Sequence, residues 1–220
     1  MSDNFVFIDN TYRSRITLLD ILEERGYIVE KFRKFSPGEA IAATGSFGSL
    51  SFQVSKKEDE KKICQVRYAN YSRQKLESLF TEIVTDEDSE NTEVVVMTSG
   101  PVSDAHHTIA LKEYMKLKET PNENGVRERR KLRVSFFSIY MIVVNPMKHV
   151  LVPKHELLPE AEHKELLEKM YVTSKSKLPE IKFHIDPIAR CIGAVPGDIV
   201  KITRPSASAG EATIYRVCAP

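Results

Sequence analysis

The chain has 220 residues, 41% of them hydrophobic and 29% charged, with 32 Lys and Arg against 31 Asp and Glu. That length can bury one or two cores, and the composition excludes a chain disordered throughout. A formal net charge of +1 excludes an autonomous DNA-binding domain that works by neutralising phosphates.

From the N-terminus, MSDNFVFIDN offers neither a basic n-region nor an apolar h-segment, so no secretory signal is expected. Asp9 or Asn10 is expected to cap a helix running to Arg25, with Ile16, Leu18, Leu19, Ile21 and Leu22 as its apolar stripe and Gly26 just past its end. Residues 27–49 read as irregular or weakly helical. Two strands are expected at Leu50–Val54 and Lys62–Tyr68, divided by the charged turn SKKEDEK. Helical spacing recurs from Tyr71 to Val84, a buried strand is expected at Glu93–Met97, and a second helix from Val102 or Ser103 to Lys116. After the loop TPNENG, Leu132 to Val144 reads as a long strand or strand pair. This most apolar stretch, Phe136 to Val144, falls well short of the roughly 20 residues that a membrane-spanning helix needs, so the expectation is an intracellular protein with no membrane partner.

Strands alternating with helices predict an α/β sheet covered by helices, ending near Asn145-Pro146. Residues 1–146 are therefore expected to form one domain and 147–220 a second. In the second, Val150–Val152 reads as a short strand and Pro159 as the first residue of a helix reaching Met170. Asp186-Pro187 marks a turn or helix start. Strands at Ile199–Thr203 and Thr213–Val217 flank the loop RPSASAG.

Cys64, Cys191 and Cys218 are too few and too scattered for a zinc cluster, and an odd count does not suit a disulfide framework. The histidines lack a ligand register, so no metal and no cofactor are expected. The chain has no G-x-S-x-G elbow, phosphate loop or H-E-x-x-H, and no set of nucleophile, base and orienting group. Catalytic residues are accordingly expected to be absent. Glu60-Lys61-Lys62 matches the E-x-K of metal-dependent nucleases, but it lies in a charged turn with no P-D before it.

The C-terminal third carries a longer pattern. LVPKH stands at 151–155, LP at 178–179, DPIARCIGAVPGDIVKITRPSASAG at 186–210 and YR at 215–216. In order and spacing these residues resemble the assembly domain of the fifth-largest subunit shared by eukaryotic RNA polymerases I, II and III, and the archaeal counterpart of that subunit. The N-terminal part looks like the eukaryotic jaw domain in its opening helix, the GYIV at 26–29 and its order of elements. The resemblance implies a two-domain α+β protein: an α/β jaw with a restriction-endonuclease-like sheet, and a small α/β assembly domain of the archaeal type.

It also implies a non-catalytic polymerase subunit, nuclear, or in a cytoplasmic viral compartment if a large DNA virus encodes it. The expected partners are the largest polymerase subunit, other subunits, downstream duplex DNA and transcription regulators. Arg190, Lys201, Arg204 and Arg216 read equally as internal ion pairs or as a partner surface. The resemblance favours docking through Asp186, Pro187, Arg190, Lys201, Arg204 and Pro205. In the jaw, Pro101, Val102 and Ser103 occupy the strand-to-helix loop that in the family lies near downstream DNA, with Asp104 where the family has alanine. Arg127, Arg129, Arg130 and Lys131 form the most basic segment, which reads as a phosphate-tracking run or as a solvated loop face. A free-standing regulator-binding adaptor and a metal-dependent nuclease are the alternatives.

Overall fold

An unbroken helical period from Phe5 onward carries the first helix well upstream of its expected cap. In the computed structural model, which describes residues 2–43, 46–70, 80, 84–85, 88–119, 121 and 125–220, helix α1 spans Ser2–Glu24. Asp9 and Asn10 are therefore interior, and Asp9 pairs with Arg13 one turn on at 3.6 Å. Nothing in Phe5–Ile8 breaks a helix, and the Phe7 ring meets Phe47 at 5.9 Å. Leu18, Leu19, Ile21 and Leu22 are buried. Gly26 (φ 89°) ends the helix: its N–H donates to Glu23 and that of Tyr27 to Leu22, a reversal that a side chain would strain.

The chain divides into two compact units, Met1–Asn145 and Pro146–Pro220, each with its own four-stranded sheet. In the first, β1 (Phe52–Ser55) is antiparallel to β2 (Ile63–Tyr68), and β2, β3 (Thr92–Thr98) and β4 (Arg133–Ser138) run parallel in that order. Every residue of β3 is buried, as a valine-rich strand in the interior of a parallel sheet should be. Before β1 lie a short helix α2 (Pro37–Ala43) and two single 3-10 turns. The crossover from β3 to β4 contains α3 (Asp104–Met115). The helix expected from Tyr71 lies outside the described residues, apart from Phe80 and Val84. The stretch expected as a long strand or strand pair, Leu132 to Val144, is a single strand that stops at Ser138, because β3 ends opposite it at Thr98. The chain then turns, with Met141 N–H donating to Ser138.

Among the described residues, two buried ion pairs fasten this unit. Glu93 on β3 accepts from the Tyr27 hydroxyl at 2.8 Å and pairs with Arg25, fastening the end of α1 to the sheet. Arg130, 2% exposed, pairs with Glu113 of α3 at 2.8 Å and donates to the carbonyls of Phe80 and Val84.

The second unit orders its strands β5-β7-β8-β6, with β5 (Lys154–Leu157), β7 (Ile199–Ser206) and β8 (Gly210–Ala219) antiparallel and β6 (Glu180–Lys182) parallel to β8. Helix α4 (His163–Lys169) brings Leu166 onto Leu178, Ile199 and Val217. Pro159 precedes a 3-10 turn that leads into α4. Two expectations are corrected here. Val150–Val152 is a turn, and the edge strand begins at Lys154; Val152 would face Pro205, which has no N–H to give, and Pro153 has none either. The segment RPSASAG is mostly strand: Arg204, Pro205 and Ser206 continue β7 opposite Gly210 to Ala212. β7 tolerates the proline because β5 pairs with it only as far as Thr203. Between β6 and β7, α5 (Pro187–Ile192) is capped by Asp186, whose carboxylate accepts from the Ile188 and Ala189 amides at 2.8 and 2.9 Å.

Replacing Arg130 with Met should lower stability by about 3–5 kcal/mol, because Glu113 is left buried and unpaired. The double replacement with Glu113→Leu should recover most of that loss in urea unfolding. Alkaline pH should also destabilise the chain. Burial pushes the Tyr68 hydroxyl and the Cys218 thiol both up to about 12, from 10.0 and 9.0. The folded state therefore keeps protons that the unfolded chain releases, and stability falls as pH rises from 9 towards 12. Thermal melts across that range should show a falling midpoint, and a flat profile would contradict the burial of these groups.

Candidate functional site

The strand-to-helix loop after β3 is held by its own side chains. Asn70 and Ser99 exchange hydrogen bonds, and the Thr98 hydroxyl donates to the Gly100 carbonyl at 2.9 Å. Pro101 and Ser103 are exposed and Val102 is half-buried. Ser103 caps α3. Its backbone N–H donates to His106 Nδ1 at 3.1 Å, its hydroxyl lies 2.9 Å from the same nitrogen, and the imidazole stands edge-on to Phe136. The serine hydroxyl is thus engaged by the histidine one turn on. Asp104, exposed beside it, adds a negative charge at the helix start.

The basic run is sorted by a local pairing. Arg130 N–H donates to the Lys116 carbonyl at 2.7 Å and Lys118 N–H to that of Glu128 at 2.8 Å, with an isolated bridge between Leu117 and Arg129. An extended segment turns alternate side chains to opposite sides. Arg129 and, beyond it, Lys131 (φ 52°) are exposed together with Arg127, while Arg130 points into the core. Arg130 is therefore removed from the phosphate-facing set, since its charge is already met by Glu113 and two carbonyls.

In the second unit the six docking candidates also separate. Asp186 is occupied as the helix cap, and Pro187 is exposed beside it. Arg190 is 5% exposed, and its Nε donates to the His184 carbonyl at 2.8 Å. Burial lowers its pKa. Its expected place on a partner surface is corrected accordingly: it braces the turn before α5. Lys201 is half-buried between Glu156 and Tyr215 in register, and Arg204 and Pro205 are exposed near the hairpin tip. Arg216 donates to the Glu180 carbonyl at 2.8 Å, so it too serves the fold.

Sequence reasoning missed the apolar surface of this unit. Val150 is 92% exposed, Leu151 83% and Tyr171 95%, with Ile185 also exposed. Tyr171 follows α4 with φ 55°, at the helix-ending position where glycine is easiest. Its N–H donates to Glu168 and that of Val172 to Leu167. An aromatic side chain held in strained backbone and turned to solvent is a signature of function rather than of packing. The sequence signal was there in the apolar pair of Val150-Leu151, which strand propensity absorbed.

The family described as RNA polymerase Rpb5, C-terminal domain, matches residues 144–218. The DNA-directed RNA polymerase subunit Rpo5 of Methanosarcina barkeri is 55% identical over 71 residues, 32% of this chain and 88% of that protein. Its Archaeoglobus fulgidus counterpart is 58% identical over 69 residues, 31% of this chain and 88% of that protein. The DNA-directed RNA polymerases I, II, and III subunit rpabc1 of Dictyostelium discoideum is 29% identical over 213 residues, 96% of this chain and 98% of that protein. The archaeal proteins match the second unit along most of their own length, and the Dictyostelium protein extends the likeness through the first. This chain belongs to the RNA polymerase Rpb5 family.

Proposed function

We propose that this chain is a non-catalytic subunit of a nuclear DNA-dependent RNA polymerase, anchored by residues 147–220 and extending residues 1–146 as a jaw beside downstream duplex DNA. The observation that carries this reading is the match of the second unit to nearly whole archaeal Rpo5 chains. A domain that makes up most of a polymerase subunit elsewhere is the natural means of attachment here. Its exposed Val150, Leu151 and Tyr171 supply apolar area of the kind a stable subunit interface buries, and Arg204, Pro205 and Pro187 add a rim. The proposed docking partner is the largest polymerase subunit.

The jaw is proposed to take its restriction-endonuclease-like sheet from the parallel strands β2, β3 and β4 with α3 in the crossover. Its role is positional, steadying DNA while nucleotide addition takes place on other subunits. Of the basic run, Arg127, Arg129 and Lys131 are the cations available to phosphate. The Ser103 loop is a weaker DNA contact, given Asp104 and the engagement of the hydroxyl by His106. Transcription regulators remain proposed partners of the same unit. Glu60-Lys61-Lys62 lies in the turn between β1 and β2 with all three residues exposed, which gives a nuclease reading no enclosed site for a metal.

A tagged copy expressed in its own cells should recover the largest polymerase subunit; recovery of regulators without polymerase would establish the adaptor reading instead. Arg204→Glu should weaken incorporation. Tyr171→Gly should raise the melting temperature of the isolated chain, by relieving about 1 kcal/mol of backbone strain, and still lower incorporation. Unchanged incorporation of both variants would place docking elsewhere. Reversing Arg127, Arg129 and Lys131 to Glu should weaken retention of downstream DNA by the assembled enzyme and flatten its salt dependence, and an unaltered salt profile would leave the run as solvated surface.

A further inference from the structure

Helix α1 buries an arginine with no carboxylate at ion-pairing distance among the described residues. Arg15 is 6% exposed. Its Nη1 donates to the Leu50 carbonyl at 2.7 Å, and its guanidinium carbon lies 4.5 Å from the ring centroids of both Phe35 and Phe52 and 5.8 Å from that of Tyr68. The enclosed Nε has no hydrogen-bond partner, and the Tyr68 hydroxyl, itself without a well-formed hydrogen bond, lies close enough to the guanidinium for Arg15 to offset part of the rise that burial gives its pKa. Among the described residues no acidic group reaches ion-pairing distance of this cation. Cation–π contacts contribute about 0.5–2 kcal/mol each, whereas burying an ion costs several kcal/mol even after relaxation. Aromatic faces, one carbonyl, the Tyr68 hydroxyl and the more distant, exposed Glu39 carboxylate therefore compensate the charge only in part.

The guanidinium lines a cleft of about 480 Å³ whose other walls include Phe32, Phe35, Phe52, Glu39 and Ala42. Phe32 and Phe52 pack with centroids 4.6 Å apart, so the floor is apolar around a single cation. Glu39 stands at the rim, exposed, with its carboxylate taken by the Ser36 amide at 2.6 Å, where it closes the first turn of α2; its hydrogen bonds to Ser36 and, less strongly, the charge of Arg15 hold that carboxyl below the usual range, so it meets the cation only at longer range. Glu39, Ala42 and Ser49 are all exposed at the mouth. An open cleft of this kind suits a side chain presented by a passing polypeptide better than a free small molecule, which needs most of its surface enclosed.

We propose that this cleft receives the carboxylate of an acidic residue flanked by apolar ones in a partner polypeptide. The acid completes the charge balance of Arg15, and its neighbours cover Phe32 and Phe52. The assignment stands apart from the polymerase reading, since it rests on the cleft alone.

The test follows the Nε–Hε resonance of Arg15 in the free full-length chain while acetyl-Leu-Glu-Leu-amide, its Gln counterpart and phenylacetate are titrated in separately. Support is a saturable shift with the Glu peptide and none with the Gln peptide. Substituting Arg15 itself risks unfolding α1 from its packing, so the cleft is instead blocked at its rim. Ala42→Phe should weaken the Glu peptide by about tenfold or more and leave the melting temperature unchanged. Equal shifts with the Glu and Gln peptides, a response to phenylacetate alone, no saturable shift with any probe, or undiminished binding to Ala42→Phe would each overturn the proposal.

Discussion

The outward chemistry of the first unit depends on one guanidinium that faces inward. Arg130 joins Glu113 of α3 to the carbonyls of Phe80 and Val84, and so holds the approach to β4 against the helix that crosses between β3 and β4. Because the segment is extended and paired with residues 116–118, fixing Arg130 inside turns Arg129 to solvent. A run that reads as uniform positive charge is thereby divided into a structural cation and surface cations. Removing the buried one would loosen the platform on which the others stand.

Besides Arg25 in its pair with Glu93, Arg15, Arg130 and Arg190 are buried, and each of these is compensated differently. Arg130 has a carboxylate and two carbonyls. Arg190 donates to the carbonyl of His184, with the Asp186 charge near enough to favour its own. Arg15 has aromatic faces and one carbonyl. Guanidinium tolerates such settings because it is weakly hydrated and stacks on rings. The compensation still sets the role: a cation whose charge is met from within the fold braces it, and one beside a cleft with no carboxylate at ion-pairing distance is proposed to take a ligand.

In the second unit the same separation between bracing and display recurs along the family pattern. Asp186, Arg190 and Arg216 engage local backbone with their polar atoms, while Arg204 and Pro205 extend on a hairpin that outruns its neighbour β5. Tyr171 extends the display to an aromatic ring, held outward at the end of α4 in a backbone conformation that glycine would adopt without strain. Asp186, Arg190 and Arg216 of the pattern thus secure the architecture, while Arg204, Pro205 and Leu151 are left exposed.

Elements with local signals were legible from the residues alone. The stop of α1 at Gly26, the cap of α5 at Asp186 and the all-buried β3 follow from backbone freedom, a carboxylate before proline and a valine-rich run, which neighbouring residues decide among themselves. Spacing from Leu151 to Arg216 also carried the family. Contacts between distant parts of the chain settled the rest: β4 ends where β3 ends, residues 150–152 cannot pair because Pro205 stands opposite, and α1 runs past its expected cap where Phe7 meets Phe47. The same reason governs the cations. Whether Arg15, Arg130 and Arg190 face solvent or core is fixed by rings, carboxylates and carbonyls up to fifty positions away, and no reading of their immediate neighbours contains that information.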